Sequence, residues 1–161
     1  MRLTANRPVG KFTLRRPHGG EWKIFSDEEV YHALSAYTLE LRDPEFLHQH
    51  VVDAYTVQHA NETSKPIGVL FALAGLYLHV ERQLTGRQVQ RAHMQLAKDR
   101  RPWPRVSLPT DRGAMTAVDV MAMPEGAQRD EAIHAWCRSV WDACEQTRDG
   151  VILILGQHGI I

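Results

Sequence analysis

Along most of this chain apolar residues recur three and four positions apart rather than in alternation, a spacing that predicts amphipathic helices. Ser26-Asp27-Glu28-Glu29 has the form of a capping box, with serine as N-cap and Glu29 three residues on. Behind it Val30, Ala33, Leu34, Tyr37 and Leu41 keep helical spacing, and this first helix is expected to stop near Arg42. Asp43-Pro44-Glu45 reads as a second start, aspartate capping, proline in the first turn and glutamate at the positive end of the dipole, for a helix to about His59. The polar break Asn61–Pro66 follows, with Ser64 as cap for a third helix over Pro66–Leu84. Thr85-Gly86-Arg87-Gln88 is a further capping box and opens a fourth helix to about Lys98.

Pro102, Pro104 and Pro109 hold residues 101–109 in an extended loop, because proline ends helices and restricts the residue before it. Thr116–Met121 reads as a short strand or an ordered stretch of loop. From about Gln128 the positions Ile133, Cys137, Val140, Cys144, Thr147, Val151 and Leu155 continue one stripe. The stripe extends a last helix through Gly150 at a cost of about 1 kcal/mol, with a terminal strand Val151–Leu155 as the alternative. At the other end, Lys11–Leu14 and Trp22–Phe25 flank Pro17-His18-Gly19-Gly20, which gives a β-hairpin or an irregular arm. The expected fold is all-α: a four- to five-helix bundle with a short N-terminal hairpin or irregular arm. It is read as a single domain over 1–161, with the arm at 1–25, four helices in 26–99, a proline-rich loop over 100–125 and a C-terminal helix over 126–155.

Composition narrows the class. In 161 residues, 43% hydrophobic and 24% charged is a globular balance with length enough for a sizeable core. Lysine plus arginine and aspartate plus glutamate are 19 each, so net charge gives no reason to expect nucleic acid or a membrane surface as partner. Cys137 and Cys144 on one helix stand about 10 Å apart, too far for a disulfide. Two buried free thiols point to a reducing, cytoplasmic setting. Met1–Leu14 has no apolar core of the kind a secretory signal carries, and the longest apolar run, Ile67–Leu78, falls short of the roughly 20 residues a membrane span needs. No P-loop, dinucleotide glycine pattern, H-E-x-x-H, G-x-S-x-G or C-x-x-C is present, which removes several common enzyme classes.

Candidate chemistry lies with polar residues on apolar faces. On the second helix Leu47, Val51, Ala54, Tyr55 and Gln58 share one arc, and Phe46, His50, Asp53 and Val57 share another. A helix with two such faces lies between neighbours, so His50 and Asp53 point together into a buried seam. The pair has two readings: metal ligation or a carboxylate orienting an imidazole, against a structural hydrogen bond. On the third helix Gly68, Ala72 and Gly75 form a small-residue stripe that admits a close neighbour, and His79 ends it. With the second helix as that neighbour, His79 meets His50 and Asp53. Two histidines and a carboxylate suit a divalent metal, zinc, nickel or iron. His59 or His93 is a spare ligand, and Tyr55 or Gln58 would support an unknown small molecule. His48 and His59 read as surface or helix-end residues. The alternatives are a non-catalytic interaction protein, a homo-oligomer with a structural His/Asp pair, and anion or nucleic-acid binding through Arg82–Arg105, where Asp99 is the sole acid.

His50-Val51-Val52-Asp53-Ala54-Tyr55-Thr56-Val57-Gln58-His59, with the later Trp136-Cys137-Arg138-Ser139-Val140-Trp141, resembles an uncharacterised bacterial all-helical family, a domain of unknown function with an Asp-Ala-Tyr-x-x-Gln-His segment. The resemblance covers roughly residues 45–145 and implies a helical fold without an activity. Many members begin with a cysteine-rich, zinc-like segment that this chain lacks. A weaker likeness, of architecture alone, is to DinB-type four-helix bundles. It implies a divalent metal held by histidines, with hydrolase or thiol-dependent transferase chemistry.

Overall fold

The computed structural model describes residues 12–14 and 23–161. Two short strands, β1 (Phe12–Leu14) and β2 (Lys23–Phe25), pair antiparallel with Phe12 opposite Phe25, so the hairpin of the two N-terminal readings is the one formed. Its Pro17–Gly20 turn lies outside the described residues. Helices follow: α1 (Asp27–Glu40), α2 (His48–His59), α3 (Pro66–Val80), α4 (Gly86–Leu96), α5 (Ala117–Met121), α6 (Ala127–Ala143) and α7 (Arg148–Gln157). The all-α reading holds. Seven helices among the described residues exceed the expected four or five because the proline-rich loop contains α5 and the C-terminal helix is two.

Both capping boxes form as the sequence dictates. Ser26 Oγ accepts from the Glu29 amide at 3.2 Å while Glu29 accepts from the Ser26 amide at 2.8 Å, and Thr85 and Gln88 do the same at the start of α4. The second helix departs from expectation. Asp43 Oδ2 does accept a backbone bond, from Leu47 at 3.1 Å, but it closes a turn, and α2 begins only at His48. The reason is tertiary. Glu45 turns its carbonyl to the Arg87 amide at 2.7 Å, and Phe46 takes a φ of 59° to do so. Gly86 makes room, since a Cβ there would stand 2.8 Å from the Phe46 carbonyl carbon.

Lys65, not Ser64, precedes α3; Ser64 Oγ instead accepts from the Asn61 amide at 3.0 Å and tightens the connecting turn. The helix ends at Val80 rather than Leu84, because Gln83 turns left-handed (φ 57°) and Leu84 bonds back to the Leu78 carbonyl at 3.0 Å. Helix α4 likewise stops two residues short of Lys98. Thr116–Met121 is neither strand nor loop: Asp119 accepts from the Thr116 amide at 2.8 Å and starts α5.

The C-terminal stripe is buried at every expected position, yet its helix is interrupted. Cys144 leaves helical geometry (φ −100°, ψ 16°) and a 3₁₀ turn, Glu145–Thr147, joins α6 to α7. The Thr147 hydroxyl occupies the Cys144 carbonyl at 2.8 Å, and the Arg148 guanidinium grips Glu81 at 2.7 Å, fixing the break. Val151–Leu155 lies within α7, which removes the strand alternative.

One apolar core runs through α1–α7, with Leu34, Val51, Leu73, Ile133 and Trp136 fully enclosed. Helix α2 lies against α1, α3, α4 and α6, and this is why two of its faces are apolar. Cys137 and Cys144 are free and buried. No helix among the described residues is long and apolar enough to cross a membrane.

Candidate functional site

Three histidines from three helices meet at one end of the α2–α3 seam: His50 on α2, His79 on α3 and His134 on α6. The His50 and His79 rings stack with centroids 3.6 Å apart, as the stripe on α3 predicts. His79 Nδ1 lies 3.1 Å from the Leu84 carbonyl, so it carries the proton and donates. His79 Nε2 is then an acceptor, and His134 Nδ1 donates to it at 2.9 Å. His50 is 3% exposed, and its Nδ1 has no hydrogen-bond partner. Burial, with the neighbouring imidazoles next, lowers its pKa to about 2; burial also lowers that of His79. Both rings therefore stay neutral at pH 7.

The rings open on a cavity of about 510 Å³. Its rim is the loop before α2 (Leu41, Asp43–Glu45, Leu47) and the turn before α4 (Gln83–Thr85), and Asp130 faces it one turn before His134 on α6. Asp130 is held by the Tyr37 hydroxyl, which donates to Oδ1 at 2.9 Å. The non-glycine residues with positive φ among the described residues are Arg42, Phe46 and Gln83, and all lie in these two rim segments. Strained backbone of this kind costs of order 1–3 kcal/mol per residue and concentrates at functional sites. The Arg87 guanidinium, 4.6 Å from the centre of the Phe46 ring, pins one rim segment to the other.

Asp53 does not join the histidines. Its carboxylate turns toward α3, where Gly75 leaves space for it: a Cβ at Gly75 would stand 2.7 Å from Asp53 Cγ. Gln49 donates to Oδ1 at 3.0 Å, and Oδ2 has no partner. Complete burial raises its pKa well above the ordinary carboxylate range, against the smaller pull of Gln49. As the side chains stand, no three His, Cys, Asp or Glu among the described residues gather as a metal-holding group.

The family described as "Family of unknown function (DUF5946)" matches residues 26–145. The chain belongs to this family. No curated protein and no solved structure matches it. The DUF5946 segment begins at the α1 cap, earlier than the sequence resemblance, and contains the whole lining of the histidine cavity, while the hairpin and α7 fall outside it.

Within the DUF5946 segment the remaining predicted residues lie away from the cavity. Tyr55 is stacked between Tyr31 at 3.8 Å and His59 at 4.0 Å, and His59 reaches Asp27 at 3.6 Å. Gln58 ties the core to the loop before α5: it accepts from Trp136 Nε1 at 3.0 Å and donates to the Met115 carbonyl at 2.7 Å. His93 bonds the Phe71 carbonyl at 2.7 Å. His48 is the first residue of α2, a helix-end residue as read, and it is half-buried and bonds Thr38 at 3.0 Å. The basic residues of Arg82–Arg105 scatter: Arg87 lies on Phe46, Arg101 pairs with Asp99 at 2.7 Å, and Arg105 turns to a different cavity. Sequence reading missed His134 and Asp130. Their signal was a polar i, i+4 pair on α6 beside the buried stripe, with nothing in it to say that α3 would lie opposite.

Proposed function

We propose that this chain binds a divalent transition metal, zinc, nickel or iron, through His50, His79 and His134, with the rest of the cavity open to a small molecule. The observation that carries the reading is the His79–His134 pair. Its two nitrogens are 2.9 Å apart. With metal–nitrogen bonds of about 2.0–2.1 Å, that separation subtends roughly 90° at a metal, once the proton between the two nitrogens leaves and both rings tilt off the line that joins them. The His79 Nδ1 proton on the Leu84 carbonyl is the outer hydrogen bond that metal-binding histidines use to fix their tautomer. At His50 and His79 the lowered pKa values reduce proton competition for the metal at pH 7. Stacked imidazoles do not aim at one point, so His50 must turn out of its stack to become the third donor. Asp130 stands ready on the same wall as a carboxylate for the metal or its water.

The test is metal content of untagged protein after loading with zinc, nickel or iron, for wild type, His79→Ala, His134→Ala and His93→Ala. The expected result is about one equivalent in wild type and His93→Ala, lost in the other two. Wild type that takes up none of the three metals sinks the proposal.

A second reading has its own observation. The chain Leu84 carbonyl–His79–His134 is a satisfied network without a metal. On that reading the histidines are structural in an interaction protein. His134→Ala then costs about 1 kcal/mol of stability and changes no metal content.

A further inference from the structure

A second cavity, of about 420 Å³, lies at the opposite ends of α2 and α3 from His50 and His79, between the end of α2, the start of α3 and the loop that joins α4 to α5. Its lining includes Arg105 and Arg112. Arg112 is half-buried. It donates through Nη1 to the Val57 and Ala60 carbonyls at 2.8 and 3.1 Å, and through Nε to the Pro109 carbonyl. Arg105 donates through Nη1 to the Glu62 carbonyl at 3.0 Å and the Ser64 carbonyl at 3.4 Å. Neither guanidinium has a carboxylate within ion-pair distance among the described residues, and in both the Nη2 edge is unspent.

From this we infer an oxyanion site: Arg105 and Arg112 together receive a phosphate or carboxylate group on a small molecule. Carbonyl dipoles orient the two forks but do not neutralise them; half-buried Arg112 lacks compensation until an anion arrives, and exposed Arg105 adds a second charge at the cavity mouth. One edge of each fork is anchored on backbone, so the other is pre-oriented and little side-chain freedom remains to be lost on binding. Ser64 and Ser107 add hydroxyls at the wall, and Val69 and Leu108 give the ligand an apolar bed. The positive end of α3 opens on the same space at Pro66. The loop carrying both arginines is long, proline-stiffened and packed, a combination that ordered functional loops share.

The probes are inorganic phosphate and butyrate, added at constant ionic strength to full-length ¹⁵N-labelled protein. The variants are Arg105→Ala, Arg112→Lys and, as a control on an exposed α4 arginine, Arg91→Ala. The expected result is saturable movement of amides in 60–69 and 105–113, weakened about tenfold or more by Arg105→Ala and by Arg112→Lys and unchanged by Arg91→Ala. Saturation by phosphate assigns a phosphorylated ligand, and saturation by butyrate alone assigns a carboxylate. Arg105 is exposed and anchors no helix, so its variant folds even where Arg112→Lys loosens the end of α2. The inference is overturned if neither probe moves those amides at about 10 mM, or if Arg105→Ala binds as wild type does. Metal content plays no part in this experiment, so its outcome is separate from that of the histidine site.

Discussion

A buried carboxyl group with one oxygen unpartnered, that of Asp53, is the sharpest single-residue feature of this chain. Asp53 was legible as buried from its place beside Val57 and His50, but its partner was not, because which atom of α3 faces it depends on how the helices dock. Gly75 answers that. Gly75→Ala drives a methyl into Asp53 and Val89, and is expected to cost about 1–3 kcal/mol in urea unfolding. Adding Asp53→Ala should recover much of the loss, a coupling of about 1 kcal/mol or more in a double-mutant cycle. If the two losses simply add, the contact is not what the glycine serves. Asp53 also sets a pH dependence. Its folded pKa is raised above the ordinary value of 3.8 by burial, so the unfolded chain releases this proton first as pH rises. Its contribution to stability is therefore full below about pH 4 and declines as pH climbs toward the folded value. Asp53→Asn should flatten that decline when unfolding is followed across the range.

Among the elements, those with local signals formed as read and those with tertiary competitors did not. Ser26 and Thr85 cap helices through bonds spanning three residues, which the sequence alone specifies. Asp43-Pro44-Glu45 carries an equally good local start signal, but the Glu45–Arg87 backbone bond and the Gly86–Phe46 contact drew it into a rim instead. Thr85→Ala is expected to lower stability by about 1 kcal/mol in thermal unfolding. Because Thr85 also lines the histidine cavity, amide exchange at 43–47 should accelerate with it. Unchanged exchange there would mean that the two rim segments are not held as one unit. Gln58 connects a different pair of elements, α6 through Trp136 and the loop before α5 through Met115. Gln58→Leu strands the Trp136 indole N–H and should cost about 1–3 kcal/mol.

Across the whole molecule, acid sensitivity follows from the histidines. His50, His79 and His93 all have folded pKa values lowered from 6.5, burial being the first cause in each. Below pH 6.5 the unfolded chain binds protons that the folded chain refuses, so stability falls as pH falls, and for His50 the loss continues to about pH 2. A thermal midpoint that drops steadily below pH 6.5, with a shallower slope in His50→Gln, is expected. A flat profile would mean that His50 is hydrated in solution. The apolar periodicity alone determined that the chain is helical, where most helices lie and which stripe of the C-terminal segment is buried, because burial of one face at helical spacing is a property of local sequence. It also marked His50 and His79 as facing inward. The tertiary structure decided which α6 residues meet them, that Asp53 goes to Gly75 instead, and that Arg105 finds Arg112 across a cavity. The histidine and Asp53–Gly75 pairings join different helices, which only helix docking brings together, whereas Arg105 and Arg112 share one loop and reach one cavity through the packing of that loop against α2 and α3.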